Sequence, residues 1–474
     1  MSRMKSKTIN IAVLLAALFS LVSCLDTNDG DYVYTDDSAV TAFSVTSAKK
    51  AVHVKASNGA DSVYTTSVKL SAYKFVIDQQ RCVIYNPDSL PYGVDPTKIL
   101  VSANSVNSGS LVLKSMTSDS LSYLSTTDSL DFSKPRELQV YSLSGAAVRK
   151  YEVRVNVHQE PADQFNWTKL PNPTAFTSAR GVKSFVVTTA SGTTRRFLLA
   201  SDGMTTTVYR ADGDNAWTAA TPNFNHTLAA ETYRSAAVKH DTLFVCDNGV
   251  VMATTDGNTW TQQTTAEAGV ARIIAANPIR LYAYNNEGVM VSSDDSGKTW
   301  KAASIDESAS LLPNGDIAYA TLPLATNPNA YRTLLIGSVP AASTTAFSVW
   351  GKIDEGTAYS ENQQWMFYDH NSLNRHELPL LQNISAVAYD GKIMVMGNDE
   401  RVFLPKFYTS CDGGITWQTD SVVTAPTGFF VSGAYTACVD SNNFLWVVNA
   451  NTGETWRGRT NRLGWKKEQY EYYE

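Results

Sequence analysis

Ser293-Asp-Asp-Ser-Gly-Lys-Thr-Trp300 and Ser410-Cys-Asp-Gly-Gly-Ile-Thr-Trp417 spell one pattern, Ser-x-Asp-x-Gly-x-Thr-Trp, at two places in the chain. A shortened copy, Thr254-Thr-Asp-Gly-Asn-Thr-Trp260, precedes them. Each position has a local task. Asp295 and Asp412 can accept hydrogen bonds from turn amides, Gly297 and Gly414 can take positive φ, and Trp300 and Trp417 bring a large ring to pack over a hairpin. Asp256 and Trp260 fill these places in the short copy. Ser293, Thr299, Ser410 and Thr416 complete the two full ones. A turn that recurs at intervals predicts a repeat architecture.

Outward from these turns the chain divides into units of one plan: two apolar strands, a third strand, a turn, and a strand marked by tryptophan. The first unit runs through Ser184–Val187, Arg196–Leu199, Thr207–Tyr209 and Trp217, the second through Ser235–Val238, Leu243–Cys246, Val250–Met252 and Trp260. The third holds Arg272–Ala275, Leu281–Tyr284, Val289–Val291 and Trp300. The fourth is expanded, with Ile317–Tyr319, Thr333–Ile336, Phe347–Trp350 and Trp365. The fifth holds Ile384–Val387, Ile393–Met396, Phe407–Tyr408 and Trp417, and the sixth Gly433–Tyr435, Phe444–Val448, Thr455–Trp456 and Trp465. Trp167 is left over and predicts a short N-terminal strand that helps to close a ring. One such sheet cannot bury both faces alone, so about six four-stranded units stacked in a circle predict a β-propeller, with seven blades as the alternative. The repeated turn resembles the Asp-box of sialidase-type propellers. That resemblance implies a structural role for the boxed Asp and Trp residues and names no reaction.

Between Ala39 and His158 the chain alternates with period two. The clearest case is Tyr151, Val153, Val155 and Val157, with polar residues between them. Thr41–Val45, Ala51–Lys55, Lys74–Ile77, Cys82–Tyr85, Ile99–Val101, Leu111–Leu113 and Leu138–Tyr141 read as further short strands, parted by turn residues such as Asn86-Pro-Asp88 and Ser144-Gly145. Alternation means strands with one face buried, and many short strands without helical stretches predict a sandwich. The whole is an all-β chain. Leu90–Asp95, Asp131–Pro135, Tyr141 and Tyr151 resemble the immunoglobulin-like modules that precede the functional domain of many Bacteroidota surface lipoproteins.

Arg3, Lys5 and Lys7 followed by the apolar run Ile9–Leu21 and by Leu21-Val-Ser-Cys24 predict an export signal, too short to be a spanning helix. The ending resembles the lipobox of bacterial lipoproteins, which implies acylation of Cys24 and anchoring to the membrane by lipid. Asp26, Asp29 and Asp31 follow it and resemble the surface-export tether of Bacteroidota lipoproteins. The expected location is the outer membrane, lipid-anchored and surface-exposed, with a periplasm-facing orientation as the alternative. The expected division is residues 1–23 as signal peptide, 24–37 as acidic tether, 38–160 as immunoglobulin-like β-sandwich and 161–474 as Asp-box β-propeller. The chain as a whole resembles an uncharacterised two-domain Bacteroidota lipoprotein family, a family of unknown function.

The formal charge of −6 and the lack of a basic run exclude an electrostatic footprint for nucleic acid. Cys82, Cys246, Cys411 and Cys438 sit in no Cys-x-x-Cys pair and lie in different predicted units, so free buried thiols are expected, with no metal and no cofactor. His370 and His376 are six apart in a loop, which is not a zinc spacing. The Arg-Ile-Pro motif that accompanies sialidase Asp-boxes is absent; Arg272-Ile-Ile274 lacks the proline. Arg180, Arg234, Arg280 and Arg332 are candidates to meet at a ring axis. No carboxylate pair stands out for glycoside hydrolysis, so no catalytic residue is assigned. The long connections around Leu324–Arg332 and Gly351–Gln364 carry or flank Tyr331, Trp350, Tyr359 and Trp365, candidate aromatics for a ligand face. The expected function is a non-enzymatic binding or scaffold protein that presents the propeller face to a glycan or protein ligand. The alternative is a glycan-acting hydrolase with its site at the axis.

Overall fold

The computed structural model describes residues 34–55, 61–171, 176, 179–340, 346–356, 363–369, 374, 376–399, 404–429 and 433–465. Cys24 and its acidic follow-on, Tyr359, His370 and the terminal Tyr470–Glu474 lie outside these residues. The chain divides between Gln159 and Glu160 into two compact units. No helix among the described residues is long and apolar enough to cross a membrane.

The first unit holds two sheets around one core. Asp61–Lys69, Val40–Lys55 and Val94–Ser105 form the first, in that spatial order. The second has six strands, and Val83–Tyr85 and Val148–Arg154 run parallel within it. Phe43, Val45, Ile84, Ile99, Val101, Leu138, Tyr151 and Val153 meet between them. Two expectations need correction. Thr41–Val45 and Ala51–Lys55 belong to one 16-residue strand. Its three register shifts against Val94–Ser105 let it bend without a turn. The strand carrying Tyr151 stops at Arg154, although Val155 and Val157 still pack on the core.

The second unit is the β-propeller. Among the described residues it contains six antiparallel sheets, each built on four strands, with a fifth short strand added to the first sheet. Their inner strands are Gly181–Thr188, Ala236–Lys239, Val270–Ala276, Ile317–Leu324, Gln382–Tyr389 and Tyr435–Val439. Each touches the next, and the last touches the first, so the succession is a closed circle. The second strands are the most apolar, as in Thr242–Asp247 and Lys392–Asn398, because neighbouring sheets cover both of their faces.

The circle is closed within the sixth sheet by strands from the start and the finish of the second unit. Phe165–Lys169 pairs with Thr455–Thr460 and supplies the outermost strand of the sixth sheet, and Trp167 lies on it. Trp465, expected to mark the sixth unit's fourth strand, instead follows the short 3-10 turn Asn461–Gly464. That edge place is already occupied by the strand from the start of the unit. The connection expected as a loop at Leu324–Arg332 is also strand: Ile317–Leu324 and Asn327–Gly337 make one long hairpin.

Candidate functional site

In a four-stranded antiparallel sheet the links between strands one and two and between three and four lie on one face of the ring. The other face carries the links between strands two and three and the starts of the inner strands. The repeated turns are three-to-four links and belong to the first face. Asp295 Oδ1 accepts from the amides of Lys298 and Thr299 at 3.1 and 2.9 Å, and Oδ2 from the Thr299 hydroxyl at 2.7 Å. The Gly297 amide donates to the Ser293 hydroxyl at 2.8 Å, and Gly297 has φ 88°. The turn at Asp412 repeats this geometry, with Gly414 bonded to Ser410 at 2.8 Å and the Thr416 hydroxyl to Asp412 at 2.6 Å. In the short copy Thr254 replaces the serine, and Asp256 accepts from the amides of Asn258 and Thr259. The indole N–H of Trp260, Trp300 and Trp417 donates to the carbonyl of Gly257, Gly297 and Gly414 in turn, at 2.7 to 3.0 Å. These contacts close the turn on itself.

Burial alone would raise the Asp295 carboxyl, but the bonds from Thr299, Ser293 and Lys298 outweigh it and bring it down to about 2. A carboxylate depressed in the folded state contributes stability above its ordinary value near 3.8, and that contribution is lost as pH falls from there toward 2. Asp295→Ala should cost about 1 kcal/mol at neutral pH, the usual scale for a carboxylate that caps backbone amides. The difference from the parent should shrink in urea melts taken between pH 4 and 2; a gap that stays constant across that range would refute the assignment.

Two of the aromatic candidates lie in the core and form no ligand surface. Trp350 and Trp365 are fully buried between the third and fourth sheets, with Trp365 edge-on to Tyr282 at 4.9 Å. Tyr331 is half-buried in the long hairpin, opposite Pro323 and Asp354. The cysteines are free, but only Cys246 and Cys438 are buried, with burial pushing each thiol up to about 11; Cys411 is exposed on its turn.

The axis carries hydroxyl and charged side chains among apolar ones for a physical reason. Each inner strand is a sheet edge, and its outward amides need partners. Neighbouring sheets supply them. Ser184 N–H donates to Thr436 Oγ1 at 3.0 Å, Val238 N–H to Tyr319 Oη at 3.0 Å, and Ile273 N–H to Ser235 Oγ at 2.9 Å. Ile384 N–H donates to Asp316 Oδ2 at 3.3 Å and Ala437 N–H to Ser385 Oγ at 3.1 Å. Lys183 reaches from the first sheet to the fourth, where its ammonium donates to the Ile317 carbonyl. Tyr319 and Lys183 thus cross the bore and leave a cavity of about 50 Å³. That is room for a water or two and no passage for a ligand.

On the face away from the repeated turns, the axis opens into a mouth lined by charge. Gly181 leaves space for Tyr233, whose hydroxyl would lie 2.3 Å from a Cβ built there. Asp247, itself buried, accepts from Ala229 N–H at 2.8 Å and from the Thr232 hydroxyl, and so holds the turn that carries Arg234. Arg234 Nε donates to Tyr233 Oη at 2.7 Å, and its Nη1 pairs with Glu231 at 3.2 Å. Arg272 Nη1 donates to Gly315 O at 3.1 Å, and its Nε to Arg234 O at 3.4 Å. Its Nη2 is buried and has no hydrogen-bond partner among the described residues. Lys183 completes the group. Burial pushes its ammonium down to about 8; Asp316 opposes that shift, and Arg272 and Arg234 add to it. A hollow of about 350 Å³ beside the axis is lined by Glu231, Thr232, Arg234, Asn248, Arg272 and Asn314. Arg234 lines both this hollow and the axial cavity.

Of the four arginines proposed to meet at the axis, only Arg234 lines it. Arg180 lies beside Gly203, Arg280 pairs with Asp294 on the opposite face, and Arg332 packs against Gly413. Lys183, Arg272 and Asp316 were not anticipated as a group. The signal for them is positional: in the units read from the sequence, Lys183, Arg234 and Asp316 each immediately precede the first strand segment, and Arg272 opens it.

An all-β chain whose longer unit is a closed circle of sheets defines a β-propeller protein. A family model described as the DUF6242 beta propeller domain matches residues 161–468, and one described as the DUF6242 N-terminal domain, a domain of unknown function, matches residues 43–155. The chain belongs to the DUF6242 family. No curated protein matches it. Among solved structures it is similar to the fucose-specific lectin from Aleuria aurantia, at 12% identity over 61% of this chain and 98% of that one, with a TM-score of 0.35. It is also similar to the Trichoderma reesei carbohydrate-active enzyme of family AA12, at 11% identity over 63% and 96%, with a TM-score of 0.36. Zg3597, a family 117 glycoside hydrolase of Zobellia galactanivorans, is 9% identical over 62% and 90%, with a TM-score of 0.28. Likenesses this distant bear on neither ligand nor reaction.

Proposed function

We propose that this protein is a lipid-anchored, surface-exposed outer-membrane protein that binds a glycan or protein ligand without converting it. We read the six sheets as six blades and the first unit as an immunoglobulin-like spacer that holds the propeller away from the membrane. The observation that supports binding is the axial mouth. It gathers cations and amide groups around an open hollow, while Tyr319 and Lys183 stop the bore beneath it. Glycoside hydrolysis needs two facing carboxylates about 5–10 Å apart. The mouth's carboxylates are engaged elsewhere: Asp316 holds the Ile384 amide, and Glu231 pairs with Arg234 at the exposed rim.

A glycan array run beside a hydrolysis screen on the full chain tests the reading. Retention of a ligand without turnover is the expected result. Turnover abolished by Asp316→Asn would replace it with the hydrolase alternative. For the anchor, Cys24→Ala should move the protein from the membrane fraction to the soluble fraction. An acyl chain contributes about 0.8 kcal/mol per buried methylene. A variant that still sediments with membranes would exclude the lipid as the anchor.

A further inference from the structure

We infer that the axial mouth recognises an acidic group, a carboxylate or sulfate, carried by a glycan, with Arg234 and Arg272 as the contacting residues and Lys183 as the charge beneath them. The inference rests on the glycan branch of the proposed function and narrows it to one chemistry.

Charge is the first argument. Lys183, Arg234 and Arg272 stand near Asp316 and Glu231, and the third carboxylate, Asp247, is buried behind the lining and spent on the Ala229 amide and the Thr232 hydroxyl. Glu231 is 73% exposed, so water screens its share. Among the residues that line the hollow the charged ones are Arg234, Arg272 and Glu231, two cations to one screened carboxylate.

Donor geometry is the second. Arg272 spends Nη1 and Nε on backbone carbonyls, which fixes its plane, and keeps Nη2 without a partner. Arg234 is held on one side by Tyr233 and Glu231, and its side chain is 40% exposed. Fixed guanidinium groups with spare N–H donors suit a planar or tetrahedral oxyanion, which they bind in a forked manner. The hollow, at about 350 Å³, is large enough for a sugar unit and its acidic substituent. Elsewhere in the propeller Lys352 and Arg280 surround Asp354, and Arg196 lies between the rings of Trp217 and Trp446.

The test is calorimetric titration of the full chain with oligogalacturonate and with its methyl ester, and with a sulfated chondroitin oligosaccharide and its desulfated form. The acid or sulfate form should bind, and its neutralised counterpart should bind at least tenfold more weakly. Arg234→Gln should weaken the acidic ligand about tenfold to a hundredfold, the loss of one charge-assisted contact, with an unchanged melting profile. Affinity should fall as pH rises through about 8, where Lys183 loses its proton beside Asp316, Arg272, Arg234 and Tyr233, and Lys183→Gln should remove that dependence. Equal binding of charged and neutralised sugars, or full affinity in Arg234→Gln, would overturn the inference and leave the binding function standing. Inorganic sulfate that binds as tightly as the oligosaccharides would make this a free-anion site and overturn the glycan assignment. Binding of no glycan, acidic or neutral, would overturn both.

Discussion

Asp354→Ala should destabilise the propeller by about 3–5 kcal/mol, the usual cost of removing one partner from a buried ion pair. Asp354 is fully buried on the third strand of the fourth sheet. Its Oδ2 accepts from Tyr282 Oη at 2.5 Å and from Asn277 Nδ2 at 2.6 Å. Its Oδ1 faces Lys352 Nζ at 3.8 Å and Arg280 Nε at 3.9 Å. Alanine would leave two cations with less compensation and two donors without an acceptor, all in low dielectric. Arg280 keeps Asp294 at 2.8 Å and Lys352 keeps the Gln363 carbonyl at 2.5 Å, which limits the loss. Asp354→Asn should cost less, because the amide still accepts from Tyr282. Urea melts of the three proteins check this ordering. A loss under about 1 kcal/mol for alanine would mean that the cations relax to water and that the group does not hold the third and fourth sheets together.

Arg196→Ala should loosen the ring where its first and sixth sheets meet. Arg196 is fully buried, and its guanidinium stacks 4.0 Å from the Trp446 centroid and 4.7 Å from that of Trp217. Nη2 donates to the carbonyls of Gly213 and Asn215 at 2.9 and 3.0 Å, while Nε and Nη1 have no hydrogen-bond partner among the described residues. Burial pushes this guanidinium down to about 10, so its charge is itself a cost. A desolvated cation–π contact contributes about 2 kcal/mol or more. Two bonds from a charged donor add about 1.5 kcal/mol each. Set against the cost of burying the charge, the net loss in alanine should be about 3 kcal/mol. Arg196→Met keeps most of the volume between the two indoles and removes the charge, so it should lose about half as much. Denaturant midpoints for the pair decide the matter. If methionine and alanine fall equally, packing between the rings is not what Arg196 contributes.

Much of the fold was legible because its causes are local. The turns at Asp295 and Asp412 close through bonds among residues four apart, so their spelling carries their geometry. The apolar runs at Leu243–Cys246 and Ile393–Met396 lie in second strands, where both faces need cover. Trp167 was readable as a closing strand because it had no unit of its own. Trp465 misled because the same count assigned one tryptophan to each unit, whereas the sixth sheet takes its outer strand from the start of the second unit. Trp350 and Trp365 misled because ring type does not tell a wedge in the core from a platform on the surface.

The mouth was not legible in that way. Lys183, Arg234, Arg272 and Asp316 lie far apart along the chain and belong to four different sheets. Each alone is an ordinary charged residue near a strand start. The Gly181 gap that admits Tyr233, and the Asp247 anchor beneath Thr232, depend on contacts between elements that no spacing encodes.

Residue order alone determined the strands, the turns that join them and the division into repeats, because period-two burial and turn chemistry act within a few residues. Only the closed ring decided which charges share a space, which tryptophans are core and which end of the axis is open. Those outcomes depend on sheet edges that must find partners in the next sheet, and a partner in the next sheet is a property of three dimensions.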